Sequence, residues 1–265
     1  MIKQGSLACV GLGMTLGAHL GPRARSCIEQ ADVVFVAASD PLVELWVQGM
    51  NRDVRSLQGF YADGKSRHRS YREMVDAIMC EVRSGRDVCG AFYGHPGVFA
   101  MVPHMAIASA REDGYQAFME AAVSAEDCLY ADLAIDPGSV GCQHYEASQF
   151  MFYRRRIEPS AYLMLWQIGV AGDRTFSVAT TGTGYRQVLL EILAEDYPME
   201  HEVIAYEAAT LPISRPRKEH MALSGLITAR LNPETTLVIP PARRPERNNE
   251  VIRRIEEIEQ AMLVA

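Results

Sequence analysis

The sequence predicts an α/β protein of two α/β lobes, on three observations. Short apolar runs alternate with helical patterns through about residue 118. Two of those runs stop at glycine-rich turns, Gly11-Leu12-Gly13 and Gly94-His95-Pro96-Gly97. From Gln116 onward the spacing changes to strands mixed with helices and a Thr/Gly-rich stretch, Thr180 to Gly184. The lobes predicted are residues 1–118, built on a parallel sheet, and 119–265, built on a mixed sheet and closed by a terminal helix.

In chain order, Ser6 to Gly11 reads as a strand, Leu20 to Gln30 as a helix and Asp32 to Ala37 as a buried β-branched strand. The segment ending at Leu57 supplies a third strand. Tyr71, Met74, Val75, Ile78 and Val82 share one face at helical spacing, and Gly85 closes that helix. Asp87 to Tyr93 is the next strand and Val98 to Arg111 the next helix. Right-handed crossovers then place both glycine turns on the carboxyl edge of one sheet, where ligands bind. Strands follow around Tyr162 to Gln167, His201 to Tyr206 and Thr235 to Pro240. In the tail from Asn248, Val251, Ile255, Ile258 and Met262 recur at helical spacing, which predicts docking on the body or on a second subunit.

Composition narrows the function. With 265 residues, 48% of them apolar and 22% charged, the chain can bury a real core. A net charge of −7 gives no overall attraction to phosphate backbones, so nucleic acid is not expected as a partner. The six cysteines, Cys9, Cys27, Cys80, Cys89, Cys128 and Cys142, form no CxxC pair and have no His at ligand spacing. They read as reduced thiols in a cytoplasmic protein without a metal. Met1 to Gly5 lacks a basic stretch leading into an apolar region, and no apolar run approaches ~20 residues, so no membrane span is expected.

The first glycine turn is weak as a dinucleotide fingerprint. Leu16 stands where the third glycine belongs, and the later acidic residue is ambiguous between Asp32 and Asp40. The second, Tyr93-Gly94-His95-Pro96-Gly97-Val98-Phe99, fixes an unusual backbone where a strand ends, suited to a ligand and equally to a tight strand-to-helix connection. Upstream, Tyr61, Arg67 and Tyr71 lie at a loop end and a helix start, with Arg67 and Tyr71 four apart on one face. By pattern alone Tyr71 continues the apolar stripe, and Arg67 belongs with Lys65, Arg69 and Arg72 to a solvated basic cluster.

Together with Ala31-Asp32-Val33-Val34 and Val123-Ser124-Ala125, these pieces resemble the tetrapyrrole-methylase superfamily. Within it, the Tyr93 to Phe99 run, Glu146-Ala147-Ser148-Gln149-Phe150, Leu165-Trp166-Gln167-Ile168 and Tyr206-Glu207-Ala208-Ala209 resemble the borosin peptide N-methyltransferases. The resemblance spans Gly5 to Pro241. His95 replaces the acid of the usual Gly-Asp-Pro loop, in agreement with borosins, and Ala121-Ala122 stands where Pro-Gly usually precedes the serine. The resemblance implies the tetrapyrrole-methylase fold with the cofactor cleft between its two lobes, S-adenosylmethionine as cofactor with S-adenosylhomocysteine as product, and methylation of backbone amide nitrogens. By residue match it makes Tyr71 the general base beside Arg67, and Tyr61 and Tyr93 the donors to a developing oxyanion. It assigns His95, Val98, Phe99, Ser124, Ala125, Gln167, Tyr206, Ala208 and Leu211 to the cofactor.

Because the chain ends at Ala265, soon after its last helix, the split type is expected, with the precursor peptide arriving in trans. The resemblance also implies a homodimer, or a heterotetramer when the peptide stays bound. Arg154-Arg155-Arg156 and Arg243-Arg244-Arg247 offer cations to an acidic leader helix, although solvated surface is the better reading of both groups. Three alternatives remain: a tetrapyrrole carbon methyltransferase of the same fold, a non-catalytic binding module, and a nicotinamide enzyme resting on the first turn alone.

Overall fold

The first strand, β1 (Ser6–Gly11), shows how the first lobe is layered. Leu7 and Cys9 enter one apolar cluster while Val10, of opposite parity, enters another, as the two-residue repeat of a strand demands. The computed structural model describes residues 4–38, 40–62, 65–174 and 180–264. Helix α1 (Pro22–Gln30), β2 (Val33–Ala37), α2 (Pro41–Gln48) and β3 (Val54–Ser56) follow. Then come α3 (Arg67–Arg83), β4 (Asp87–Phe92), α4 (Met101–Glu112) and β5 (Gln116–Glu120). The sheet is parallel throughout, in the order β3-β2-β4-β1-β5. Helices α3 and α4 cover one face, and α1 and α2 the other.

Local chemistry explains the ends of these elements. The Ser66 hydroxyl accepts from the Arg69 amide and starts α3 at Arg67, so Arg67 and Tyr71 do share a helix. Met74, Ile78 and Val82 on that helix are fully buried, each contributing about 1.5–3 kcal/mol. Gly85, at φ +88°, turns the chain out toward β4. Helix α4 starts at Met101, not at Val98, because Phe99 takes φ +50° and Ala100 remains extended. Helix α2 was not foreseen, because its Leu42 and Leu45 are exposed and obscure any amphipathic stripe. Phe118, the predicted boundary, lies within β5, which pairs with β1 along its length, so the first sheet runs to Glu120.

The second lobe starts with α5 (Ala125–Leu133), closed at its N-terminus by a reciprocal capping box between Ser124 and Asp127. After it come α6 (Pro137–Val140), β6 (Cys142–Glu146), α7 (Ala147–Phe152), β7 (Tyr162–Trp166) and α8 (Thr183–Leu193). The lobe is completed by β8 (Glu202–Glu207), β9 (Arg217–Ala222), β10 (Thr236–Ile239) and α9 (Asn249–Val264). The sheet is mixed, in the order β6-β7-β10-β8-β9, with only β6 and β7 parallel among its pairs. Helices α7 and α8 pack on one face and α5 on the other.

The apolar stripe of α9 does not dock on this chain's described residues: Val251, Ile255, Ile258 and Met262 are all exposed. No helix among the described residues is long and apolar enough to cross a membrane. The thiols differ sharply in access. Cys80 is exposed, whereas Cys9 and Cys89 are buried, and burial pushes the Cys9 thiol up to about 12. A thiol-specific disulfide reagent at pH 8 is therefore expected to modify Cys80 within minutes, and Cys9 and Cys89 only on unfolding. Peptide mapping of the labelled protein checks this.

Candidate active site

Strand order reverses direction between β1 and β4, so the two connections leaving their carboxyl ends diverge to opposite faces and open a crevice. Both glycine turns sit there, and the structure joins them. The Gly13 amide donates to the Gly94 carbonyl at 3.2 Å and the Gly94 amide to the Gly13 carbonyl at 2.9 Å. Both glycines have positive φ, +72° and +64°. Gly11 is needed for a different reason. A Cβ there would lie 2.4 Å from both the Ala122 Cβ and the Gly94 carbonyl oxygen, and 2.8 Å from the Pro96 Cδ.

The second lobe closes over this edge. The Thr15 hydroxyl donates to the Ala209 carbonyl at 3.0 Å, and the Leu16 amide donates to Thr210 at 2.9 Å. Phe99, on the second glycine loop, rests on Trp166 at the end of β7, with ring centroids 5.5 Å apart.

The four predicted acid–base residues come together at the crevice mouth. Tyr61 and Tyr71 meet edge to face at 6.4 Å, and a hydrogen bond to Tyr71 helps hold the proton on the Tyr61 hydroxyl. Burial pushes the Tyr61 hydroxyl well up, against a smaller opposing pull from Arg67. Tyr93 is 49% exposed as a residue, yet its hydroxyl end is enclosed enough for burial to raise its pKa too. Tyr71 adds to that rise, as does Glu234 from the turn before β10, while Arg67 opposes it. Tyr61 and Tyr93 thus remain neutral donors across the physiological range, and one cation lies within electrostatic reach of both. Glu234, a second-lobe residue at this site, was not foreseen.

The residues predicted for the cofactor divide into two groups. His95 accepts the Gly97 amide on Nδ1 at 2.9 Å, which leaves its proton on Nε2 and that nitrogen available to donate. Val98 is partly exposed on the same loop. Phe99 is half-exposed at φ +50° and Gln167 sits at φ +61°, left-handed conformations that cost a non-glycine residue about 1–2 kcal/mol and cluster at binding sites. Ala125 opens α5, and Ala208 and Leu211 flank the carbonyls that hold Thr15 and Leu16.

Ser124 and Tyr206 are placed differently. The Ser124 hydroxyl is 2.7 Å from the Asp127 carboxylate within the capping box. Tyr206 is 1% exposed and donates its hydroxyl to Asp132 at 2.8 Å. Its ring therefore fastens α5 to the sheet, and the stretch beyond Glu207 is the part free of the strand ladder.

Comparison with known proteins agrees with this architecture. A model of the Tetrapyrrole (Corrin/Porphyrin) Methylases matches residues 6–222. The chain is 39% identical over 258 residues to a methyltransferase/ribosomally synthesized cyclic peptide dendrothelin A precursor from Dendrothele bispora, covering 96% of this chain and 62% of that protein. The corresponding omphalotin A precursor protein of Omphalotus olearius has the same identity and coverage. This chain thus spans 62% of the length of either relative. Among solved structures, a cobalt precorrin-4 methyltransferase superposes with a TM-score of 0.64 at 13% identity, covering 89% of this chain and 94% of that one. Uroporphyrin-III-C-methyltransferase from Thermus thermophilus gives 0.62 at 18% identity, covering 93% and 99%. Because the family model covers residues 6–222, most of the length and parts of both lobes, the chain belongs to the tetrapyrrole (corrin/porphyrin) methylase family.

Proposed function

We propose that this protein is a methyltransferase that uses S-adenosylmethionine to methylate backbone amide nitrogens of a ribosomally made peptide delivered in trans. The observation that carries the reading is the meeting of Tyr61, Arg67, Tyr71 and Tyr93 at the crevice mouth, an acid–base set on a chain similar to methyltransferase–peptide precursor proteins.

The crevice suits the proposed cofactor by the chemistry of its groups. It offers a half-exposed aromatic ring in Phe99, a donor in His95 Nε2, the Gln167 amide and the backbone after Glu207, which match the aromatic and polar parts of an adenosyl amino acid. When bound, S-adenosylmethionine supplies an electrophilic methyl group on a sulfonium centre. His95, Val98, Phe99, Ala125, Gln167, Ala208 and Leu211 would hold it, with Ser124 and Tyr206 fixing the elements that carry them.

The protein's remaining task follows from the peptide bond. Delocalisation into the carbonyl makes the amide nitrogen a poor nucleophile, so its proton must be removed while charge gathers on oxygen. In this reading Tyr71 accepts that proton and Arg67, one turn earlier on α3, balances the charge. Tyr61 and Tyr93, held neutral by burial, donate to the carbonyl oxygen as it becomes an oxyanion. A second copy of the chain is part of the proposal, with the uncovered stripe of α9 as one surface in need of a partner.

The test is tandem mass spectrometry of the peptide encoded beside this gene, after incubation with the enzyme and S-adenosylmethionine. Methyl groups localised to backbone nitrogens are the expected result. Cofactor binding with an unmodified peptide would remove the peptide reading and favour a small-molecule acceptor. Absence of cofactor binding would overturn the methyltransferase reading itself.

A further inference from the structure

Four side chains outside the catalytic set form a directed hydrogen-bond chain that starts beneath the second glycine loop. Trp166 Nε1 donates to His144 Nδ1 at 3.1 Å, the two rings lying nearly coplanar with 18° between their planes. His144 Nε2 lies 2.9 Å from the Tyr130 hydroxyl, and that hydroxyl donates to Glu126 Oε1 at 3.0 Å. An indole N–H can only donate, so His144 Nδ1 must present a lone pair. Neutral His144 then carries its proton on Nε2 and donates to Tyr130, so the chain runs in one direction from Trp166 to Glu126. Trp166 is 5% exposed and half-exposed Phe99 rests on it, while Gln167, the next residue, is in the left-handed conformation. Two of the three non-glycine residues with positive φ among the described residues therefore flank this indole.

We infer that His144 is a positioning residue for the cofactor loop: its Nδ1 fixes the Trp166 indole, and the indole fixes Phe99 and the Gln167 turn. This rests on the reading of that loop as the methyl-donor site. His144 on β6 reaches Trp166 on the neighbouring strand β7, and Tyr130 and Glu126 on α5 brace it from behind. The arrangement works only while the imidazole is neutral. A protonated ring would turn an N–H toward the indole N–H and break the bond. Burial lowers the His144 pKa and favours the neutral form, against the pull of Glu126 at 3.6 Å. Tyr130 and Cys142, the other titratable neighbours, are both raised by burial and stay neutral.

The experiment measures S-adenosylhomocysteine affinity by calorimetry, together with Trp166 fluorescence in a Trp46→Phe background, where Trp166 is the single emitter of the sequence's two tryptophans. His144→Leu and Trp166→Phe are each expected to weaken binding roughly tenfold, the scale of one lost hydrogen bond, with methyl transfer at saturating cofactor nearly unchanged. His144→Asn places an acceptor oxygen near the former Nδ1 and is expected to restore both affinity and the parent's Trp166 emission. Parent affinity should fall as pH drops through the His144 pKa, and the Asn variant should lose that component. Parent-like affinity in His144→Leu overturns the inference, as does an Asn variant no better than Leu. If the parent itself does not bind S-adenosylhomocysteine, the cofactor reading fails and the inference falls with it.

Discussion

Tyr71→Phe is expected to lower the rate of methyl transfer to peptide about 10³-fold, some 4 kcal/mol in the barrier, while S-adenosylhomocysteine binds as before. The substitution removes one oxygen from a ring that is partly buried against the core of the first lobe, so packing survives. What disappears is the group proposed to accept the amide proton, together with the hydrogen-bond partner of Tyr61. Arg67→Ala is the companion variant. It leaves Tyr71 in place but withdraws the charge that acts on both Tyr61 and Tyr93, and a comparable loss is expected. Single-turnover mass spectrometry gives the rates and calorimetry the affinities. If either variant lost cofactor binding as steeply as turnover, these residues would belong to ligand binding and the acid–base assignment would be wrong.

Gly11→Ala is expected to abolish cofactor binding and to destabilise the fold by about 3 kcal/mol. The added methyl would meet the Gly94 carbonyl, the Pro96 ring and the Ala122 methyl together, two of them at 2.4 Å. None of the three is the end of a flexible side chain. Relief requires β1 to move away from the second glycine loop or from the start of the second lobe, and either motion breaks the reciprocal bonds between Gly13 and Gly94. Gly114, at the turn before β5, is a useful control, because nothing lies within 4 Å of its notional Cβ. Its φ of +83° makes Gly114→Ala costly in stability, but that cost falls far from the crevice. Denaturant melts and cofactor titrations on both variants separate the effects. A Gly11→Ala protein that bound cofactor normally would show that the turns are less tightly joined than their geometry states.

The elements that the sequence discloses are those whose burial pattern is one-sided or complete. Strands β1, β2, β4, β7, β8 and β10 are apolar runs, and α3 has a clean stripe. Strand β6, Cys142–Glu146, and strand β9, Arg217–Ala222, escape because they are polar and sit at the two edges of the second sheet. An edge strand needs no continuous apolar face, and charges there discourage pairing with other chains. The boundary at Phe118 divides β5 for a similar reason: none of its residues is fully buried, and Gln116 and Phe118 are exposed, so the strand has no pronounced apolar pattern.

For the site, spacing alone brought Arg67 and Tyr71 together, since helical geometry makes them neighbours. Tyr61 and Tyr93 joined them only through resemblance, because their proximity depends on how β4 and the segment before α3 end at one sheet edge. The chain from Glu126 through Tyr130 and His144 to Trp166 was not foreseen at all. Its members come from α5, β6 and β7, and only the sheet order makes them adjacent.

The reciprocal bonds between Gly13 and Gly94 also bear on where conformational entropy is lost. Ordering a residue's backbone costs about 1–2 kcal/mol, and a loop that is ordered only on binding charges that cost against affinity. Here the two turns are fastened to each other, and the first is fastened to the carbonyls of Ala209 and Thr210, all through contacts within the chain. Folding therefore meets the ordering cost of the crevice floor before any ligand arrives. Tyr61 and Tyr93 stand at the rim with substantial exposed surface, where the proposed peptide would have rotamers left to fix. On the proposed function, affinity for the small ligand and turnover of the large one would then be governed by different parts of the chain, and substitutions at the rim are expected to change one while leaving the other alone.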